Sequence, residues 1–327
     1  MSKSHIVIIS PALANANNGN GQTAGRWSRF LRKDYKITLA LQWDGIPCDA
    51  LIALHARRSA PSIAAFSAAH PSLPLIVVLT GTDLYKDIST NPDAQRSLQM
   101  ATQLVVLQAA GLHDLAENLR DKTCVIYQSA RALKPVNQHP MQAHRYVDIT
   151  MIGHLRDEKD PATFMRAAKL LKSPKIRMIH IGSALDPALG QLAEQTQQHS
   201  PHYHALGNLS HAATRQRLKR SHLMVITSKM EGGANVIIEA ITSGVPILAS
   251  DISGNRGMLG ESYAGYFPVG NSLKLAQLID RAATDTKFYR RLQTQCAARA
   301  PLFTPAREQA TLLKLVNKCI TQKQRRS

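Results

Sequence analysis

The chain has 327 residues, 44% of them hydrophobic and 19% charged, and this length accommodates two domains of ordinary size. The composition excludes a disordered chain, a collagen-like chain and a coiled coil. The 40 lysines and arginines outnumber the 22 aspartates and glutamates, so the formal net charge is +18. Such an excess favours anionic partners: phosphates, nucleotides, nucleic acid or an anionic membrane.

Short apolar runs alternate with longer helix-like segments in the first part of the chain. The runs are rich in Val, Ile and Leu, as strands covered on both faces are. We predict strands at 5–10, 36–41, 49–55, 75–80, 103–107 and 124–127. Helices are predicted between them at 23–32, 59–68, 94–101 and 111–119. This alternation indicates a parallel sheet with right-handed crossovers.

A polar, proline-containing segment at 132–145 interrupts the pattern and is predicted to be a linker. The alternation then restarts, with strands at 148–152, 176–181, 202–205, 223–227 and 246–249, and helices at 161–171, 187–198, 211–219 and 235–243. A last helix is predicted at 304–321, with one apolar stripe that we expect to pack on the first domain. We therefore expect an α/β protein with two doubly wound, Rossmann-like domains, at 1–145 and 146–303.

The four cysteines lie far apart in the sequence and fit neither a zinc site nor a disulfide framework. The sequence also has no Asp-x-Asp pair, so it shows no metal site. We expect no metal and no cofactor. Scattered thiols are typical of a reducing compartment. The sequence shows neither a signal peptide nor an apolar run of about 20 residues, so we expect a cytoplasmic protein without a membrane span.

The most informative segment lies between the predicted strand at 223–227 and the predicted helix at 235–243. It contains Gly232 and Gly233, and a glycine-rich loop before a helix is an anion-binding arrangement. A phosphate is expected to face the backbone N–H groups near Gly233, Asn235 and Val236.

Two glutamates, Glu231 and Glu239, lie eight residues apart around this loop. Carboxylates so near a phosphate site repel the phosphate, so we expect them to have another role. Accepting hydrogen bonds from sugar hydroxyls would suit them. From these two residues alone, ordinary exposed charge is the alternative interpretation.

The surrounding residues resemble the E-x7-E signature of the retaining GT-B glycosyltransferases of family 4. The match includes a strand that ends at Ser228, the Glu-Gly-Gly and Ile-Glu-Ala runs, and segments 244–246 and 249–251. The resemblance implies that Glu239 binds the ribose hydroxyls of a nucleotide sugar and that Glu231 binds the hydroxyls of the donor sugar. It also implies a GT-B fold, in which two domains face a cleft.

A second segment, 151–161, resembles the part of that family where an arginine and a lysine neutralise the leaving diphosphate. Lys159 falls on the lysine position. His154 stands where the arginine is usual, so we expect Arg156 to take over; a solvated charged turn is the alternative. Leu209 falls, as a weaker match, where the family binds the uracil edge, and a place in the core is equally compatible.

A loop after the first predicted strand supplies candidate acceptor residues. Gly19, Asn20 and Gly21 lie in this loop, and the two glycines allow close backbone approach. Thr23 is a suitable cap for the following helix. The loop is a second candidate anion site, although Asn and Gly also favour plain turns.

Three more candidates follow the third predicted strand: His55, Arg57 and Arg58. Ligands bind at such strand ends in open parallel sheets. Two arginine forks suit a small dianion there, and a solvated helix start is the alternative.

The loop after the fourth predicted strand contains Thr82 and Asp83 and resembles the family's HGTD-type loop, with Thr80 where histidine is common. Together with segments 10–20 and 43–59, it resembles the selenosugar synthases of selenoneine biosynthesis, and this resemblance covers most of the chain. It implies that a UDP-sugar, with UDP-N-acetylglucosamine as the donor, reacts with selenophosphate to give a 1-seleno-sugar, UDP and phosphate.

Selenophosphate is small, anionic and already a strong soft nucleophile, so it needs electrostatic positioning more than a general base. We expect Arg57, Arg58 and the loop at 19–23 to hold it, and the cations of segment 151–161 to stabilise the departing UDP. His55 is expected to hydrogen-bond the acceptor or the diphosphate; a buried structural histidine is the alternative.

Three other functions stay open at this point. The helix at 23–32 has an apolar face with Trp27, Phe30 and Leu31, so weak peripheral membrane contact and a lipid or saccharide acceptor are alternatives; ordinary core packing is simpler because the stretch is short. A non-catalytic nucleotide-sugar sensor is another. Nucleic-acid binding would account for the net charge, but the sequence has no recognised binding motif, so we expect no nucleic acid.

Overall fold

The computed structural model describes residues 3–11, 19–136, 141 and 144–324. The chain forms two compact units. The first comprises Met1–Ser129, Glu231–Gly233 and Thr304–Ser327, and the second comprises Ala130–Met230 and Ala234–Phe303. Each unit contains one parallel six-stranded sheet with helices around it, which is the α/β architecture that the sequence predicts.

The second unit starts at Ala130, earlier than the predicted boundary at 145. Within the second unit, the Ala130 N–H donates to the Phe303 carbonyl over 3.3 Å. Residues 137–140 and 142–143 of the predicted linker lie outside the described residues.

The first sheet has the strand order β2-β1-β3-β4-β5-β6, and its neighbouring strands are parallel. The strands are β1 (His5–Ile9), β2 (Lys36–Ala40), β3 (Ala50–Leu54), β4 (Leu75–Leu79), β5 (Gln103–Val106) and β6 (Thr123–Val125). In β3, Ile52 and Leu54 belong to one core, whereas Leu51 and Ala53 belong to another. Burial on both faces explains why these strands read as continuous apolar runs.

The first helices of this unit are α1 (Gly19–Leu31), α2 (Ala60–Ala69), α3 (Ile88–Thr90), α4 (Pro92–Met100) and α5 (Glu117–Arg120). The predicted N-cap at Thr23 is wrong, because α1 begins at Gly19. The Thr23 hydroxyl lies inside the helix, where it donates to the Gly19 carbonyl over 2.8 Å and accepts from the Gln128 amide. Gly19, Asn20 and Gly21 therefore form the first helical turn rather than a loop before it.

The second sheet has the strand order β12-β11-β10-β7-β8-β9, again parallel. The strands are β7 (Val147–Ile152), β8 (Ile176–Ile181), β9 (Tyr203–Ala205), β10 (Leu223–Ile226), β11 (Ile247–Ser250) and β12 (Tyr266–Phe267). The sequence predicts five of the six. It misses β12, because two residues are too few to produce a recognisable run.

The helices of the second unit are α6 (Pro161–Ala168), α7 (Pro187–His199), α8 (His211–Leu218), α9 (Asn235–Ile241), α10 (Ser253–Leu259), α11 (Ser272–Thr284) and α12 (Thr286–Arg299). The last three are absent from the predicted elements. A signal was available for α11, since Leu275, Leu278, Ile279 and Ala282 are buried at helical spacing.

The final helix, α13 (Pro305–Gln324), packs within the first unit. Its apolar stripe is buried in one core with Trp27 and Leu31 of α1. The stripe consists of Leu312, Leu315, Val316, Cys319 and Ile320. The apolar face of α1 that suggested membrane contact is thus covered by protein. Across the part of the chain that the structure describes, no helix is long and apolar enough to cross a membrane.

Candidate active site

In the second unit, the loops after the neighbouring strands β7 and β10 are bonded to each other at the carboxyl edge of the sheet. The Lys229 N–H donates to the Glu158 carbonyl over 2.9 Å, and the Thr227 hydroxyl donates to the Lys159 carbonyl over 2.7 Å. The Lys229 ammonium also pairs with Asp157. Open parallel sheets bind ligands at this edge, and these bonds hold the backbone that carries the predicted cations.

The side chain of Lys159 lies along Gly153. A Cβ added to Gly153 would be 3.6 Å from Lys159 Cγ. Gly153 is crowded on another side as well, because a Cβ on Gly182 would lie 2.0 Å from the Gly153 carbonyl oxygen. Glycine is therefore required at position 182, where the backbones after β7 and β8 come together.

His154 and Arg156 differ in charge. The Ser183 N–H donates to His154 Nδ1 over 3.0 Å, so the neutral ring carries its proton on Nε2. Burial, followed by the charges of Arg156 and Lys159, lowers the pKa of His154. A neutral imidazole cannot replace an arginine as a charge. Arg156, with a side chain 44% exposed, and Lys159 are therefore the cations of segment 151–161.

His180 supports the same segment from β8. It is 1% exposed; its Nε2–H donates to the Gly153 carbonyl over 3.1 Å, and its Nδ1 accepts from the Tyr203 hydroxyl over 2.7 Å. Burial lowers the pKa of His180 from 6.5 to about 4. The folded protein therefore holds this ring neutral at pH values where the unfolded chain already binds a proton.

We expect the free energy of unfolding to fall as pH decreases from 6.5 to about 4, with His180 contributing a loss of about 3 kcal/mol. The stabilisation is fully present above pH 6.5 and is lost as pH falls towards the folded-state pKa. Urea unfolding between pH 4 and 7 measures it. His180→Gln should reduce the fall in the free energy of unfolding between pH 7 and pH 4 by this amount, whereas substitution of the exposed His199 by Gln should not. Parallel plots of unfolding free energy against pH for His180→Gln and the unsubstituted protein would contradict the assignment.

Glu239 is the predicted ribose-binding carboxylate, and its side chain is only 10% exposed. Its Oε1 lies 2.6 Å from the Nε2 of His211, the first residue of α8. Helix α9 begins at Asn235, after the N-cap Ala234, so Val236 lies in its first turn. The predicted approach of their N–H groups to a phosphate stays a prediction.

Leu209, the predicted uracil contact, lies in the loop between β9 and α8 and is partly buried. The next residue, Ser210, caps α8, and its hydroxyl accepts from the Ala213 N–H over 3.3 Å. The cap fixes the start of the helix that carries His211.

Glu231, Gly232 and Gly233 group with the first unit. A Cβ on Gly232 would lie 2.5 Å from the Thr80 carbonyl, and a Cβ on Gly233 would lie 2.6 Å from Leu107 Cβ. Packing thus requires both glycines, a reason that the sequence pattern did not reveal. Glu231 is partly buried, and its contact with the donor sugar stays a prediction.

In the first unit, Asp83 joins the loops that follow β3 and β4. It is fully buried. Its carboxylate accepts from the N–H groups of Ala56 over 3.0 Å, Thr80 over 2.9 Å and Gly81 over 2.8 Å. Asp83 therefore shapes the candidate acceptor loops from inside the protein, and the expected direct contact with the acceptor has no exposed carboxylate to make it.

His55 is also engaged within the first unit. Its backbone has a φ of 73°, and the side chain is 3% exposed. Nδ1 accepts from the Arg58 N–H over 3.3 Å, so Nε2 carries the proton and donates to the Thr82 hydroxyl over 3.0 Å. Burial is the main cause that lowers the pKa of His55. Neither ring nitrogen is left for the predicted hydrogen bond to an acceptor or diphosphate.

Arg57 and Arg58 are exposed in the turn before α2. Arg57 has a side chain 44% exposed, and its Nε lies 3.0 Å from the buried Asp87 carboxylate. This pair engages one nitrogen of the Arg57 guanidinium, while the side chain stays partly accessible. The geometry is compatible with anion binding and with a solvated turn.

Among the described residues, no group of three or more His, Cys, Asp and Glu side chains is arranged to hold a metal ion. The partner that the sequence analysis missed is His211, which lies 28 residues from Glu239. No local pattern relates two residues at that separation.

Residues 139–299 match the family described as Glycosyl transferases group 1. Over 151 residues, the chain is 28% identical to Glycosyltransferase 1 domain-containing protein 1 of Xenopus tropicalis, and this alignment covers 46% of the chain and 43% of that protein. The chain thus matches less than half the length of this curated relative.

Solved structures match over nearly the whole chain. Anabaena HepE, crystallised with UDP and glucose, superposes with a TM-score of 0.75 at 14% identity over 96% of this chain and 100% of that one. Sucrose-phosphate synthase from Thermosynechococcus elongatus superposes with a TM-score of 0.78 at 13% identity over 98% and 100%. The two six-stranded sheets have the GT-B glycosyltransferase fold. Together, the group 1 match and these structures support a GT-B glycosyltransferase.

Proposed function

We propose that the second unit binds a UDP-sugar and that the chain transfers the sugar. The observation that carries this proposal is the nearly buried Glu239 carboxylate, held on the helix after the glycine-rich loop. Lys159 and Arg156 lie at the carboxyl edge of the same sheet, where cations would stabilise a leaving diphosphate. Anabaena HepE, with which the chain shares its fold, was crystallised with UDP-glucose, which adds support for this donor class.

We further propose that the acceptor is selenophosphate and the donor UDP-N-acetylglucosamine. Selenium attacks the anomeric carbon, so a C–Se bond forms while the C–O bond to UDP breaks and UDP leaves with the electron pair. Water then cleaves the P–Se bond, which releases phosphate and leaves the 1-seleno-sugar. The support is the resemblance of the first-unit loops to selenosugar synthases.

The hydrogen bonds of His55 favour selenophosphate over a sugar or lipid hydroxyl as the acceptor. A hydroxyl needs a base to take its proton, whereas selenophosphate is already anionic. Both ring nitrogens of His55 are engaged with Arg58 and Thr82, so this histidine is poorly placed to serve as a base. The covered apolar face of α1 removes the feature that suggested a lipid acceptor.

Mass spectrometry of reaction products tests the proposal. The purified protein is incubated with UDP-N-acetylglucosamine or UDP-glucose and with selenophosphate, thiophosphate or simple sugars. A selenium-containing sugar, formed with stoichiometric UDP and phosphate, is expected from selenophosphate. A product only from sugar acceptors would keep the glycosyltransferase and reject the C–Se reaction; tight UDP-sugar binding without any product would favour a sensor.

Replacing both Arg57 and Arg58 with Ala should raise the KM for selenophosphate about tenfold or more, because two guanidinium contacts to a dianion are lost. UDP affinity should not change. Steady-state kinetics and calorimetry measure the two effects. Arg290 and Arg291, two exposed arginines that follow each other on α12, provide a matched double-alanine control. Equal loss of acceptor and UDP binding would exclude an acceptor role.

A further inference from the structure

The Glu239 side chain makes a close hydrogen bond with His211. A distance of 2.6 Å separates Glu239 Oε1 from His211 Nε2. An ionised carboxylate oxygen only accepts hydrogen bonds, so Nε2 carries a proton and donates it. The His211 side chain is 46% exposed, while that of Glu239 is 10% exposed. A histidine at the surface therefore orients a carboxylate that is nearly buried.

One helical turn further along, Arg215 holds α8 to the turn that follows α9 and to the segment at Arg131. It lies four residues after His211, so both side chains project from one face of α8. The Arg215 guanidinium donates to the Ser243 hydroxyl over 3.2 Å and to the Arg131 carbonyl over 2.9 Å. Its charge also acts on Glu239. The position of His211 relative to Glu239 is thus set by a buried anchor and not by the imidazole alone.

The hydrogen bond from His211 engages Oε1 of Glu239. A carboxylate has about four acceptor positions on its two oxygens, so Oε2 retains the capacity to accept from two adjacent hydroxyls. Holding one oxygen removes rotation of the carboxylate, and less conformational entropy is then lost when a ligand binds.

We propose that His211 is a positioning residue for the nucleotide half of the donor, which holds Glu239 ready to accept hydrogen bonds from the ribose hydroxyls. This inference rests on the proposed function, because it requires UDP to bind beside Glu239. His211 itself does not touch the ligand. Its contribution therefore depends on two things: the Glu239 carboxylate and the presence of ribose hydroxyls.

Calorimetric titration with UDP and with 2′,3′-dideoxy-UDP separates this role from a structural one. His211→Ala is expected to weaken UDP binding about tenfold and to change dideoxy-UDP binding less than twofold. His211→Gln, whose amide N–H reaches a similar position, should restore most of the UDP affinity. The exposed His199→Gln, at the end of α7, is the matched control and should bind UDP as the unsubstituted protein does.

A double-mutant cycle completes the test. In a Glu239→Gln background, His211→Ala should produce no further loss of UDP affinity. Equal loss for both nucleotides, unchanged UDP affinity in His211→Ala, or full additivity in the cycle would each overturn the role of His211. Absence of UDP binding by the unsubstituted protein would instead overturn the proposed function, and the inference with it.

Discussion

Replacement of Lys159 by alanine is expected to lower kcat for UDP release by about 10²–10³-fold, as loss of one preorganised charge-stabilising group does in other active sites. The lysine backbone is fixed by the bond from Thr227, and its stem lies along Gly153. The backbone and the first side-chain carbons of Lys159 are thus already fixed near the strand edge before the reaction. The effect should be larger on kcat than on the KM of the donor, because the leaving diphosphate gains charge only as the bond breaks.

Steady-state assays of UDP release measure this effect, with calorimetry of UDP binding in parallel. Lys159→Arg keeps the charge and should retain more activity than the alanine variant. The exposed Lys169, at the end of α6, provides a matched lysine-to-alanine control. A KM increase with unchanged kcat would show that Lys159 stabilises the bound donor and the transition state equally, and not the departing group.

Glu308→Ala is expected to lower the free energy of unfolding of the first unit by about 3–5 kcal/mol. Glu308 of α13 is 1% exposed. Its carboxylate accepts from Arg26 Nε over 2.7 Å, from Trp27 Nε1 over 2.8 Å and from the Ser129 hydroxyl. Its loss leaves a largely buried guanidinium and an indole N–H without their acceptor, and weakens the joint between α1 and α13.

Urea unfolding followed by tryptophan fluorescence measures this loss. Both tryptophans of the chain, Trp27 and Trp43, lie in the first unit, so the signal reports that unit. Glu308→Gln keeps an acceptor for the indole and should lose less stability. The exposed Glu194 on α7 serves as the control for removing a helical glutamate. A midpoint for Glu308→Ala within error of the unsubstituted protein would exclude this role.

Much of the fold was predictable because its signals are local. Five consecutive apolar residues define each of β3 and β4, and the capping residue Asp186 with Pro187 marks the start of α7. The start of α1 was not predictable in this way. Its first residues include glycines that usually interrupt helices, and a bond from Thr23 back to Gly19 supports the turn instead.

Candidate residues of the site were predictable as residue types, but not as partners. Glu239 and Lys159 stand at positions that a family pattern marks. The pattern did not indicate that His154 would be neutral, since this depends on the Ser183 N–H from the loop after β8. Nor did it show that the Asp83 carboxylate would accept hydrogen bonds from three backbone N–H groups.

The alternation of strands and helices, the two-sheet architecture and the charged residues after strand ends all follow from the amino-acid sequence, because these features depend on side-chain type and on neighbours within a few positions. Which polar groups already have hydrogen-bond partners within the protein, in contrast, depends on the three-dimensional arrangement of the chain. His55 and Asp83 are closed off by backbone and side-chain partners, whereas Glu239 is oriented by His211 from a helix 28 residues away. Hydrogen-bond partnership depends on distances of about 3 Å between remote segments, and no local pattern encodes those distances.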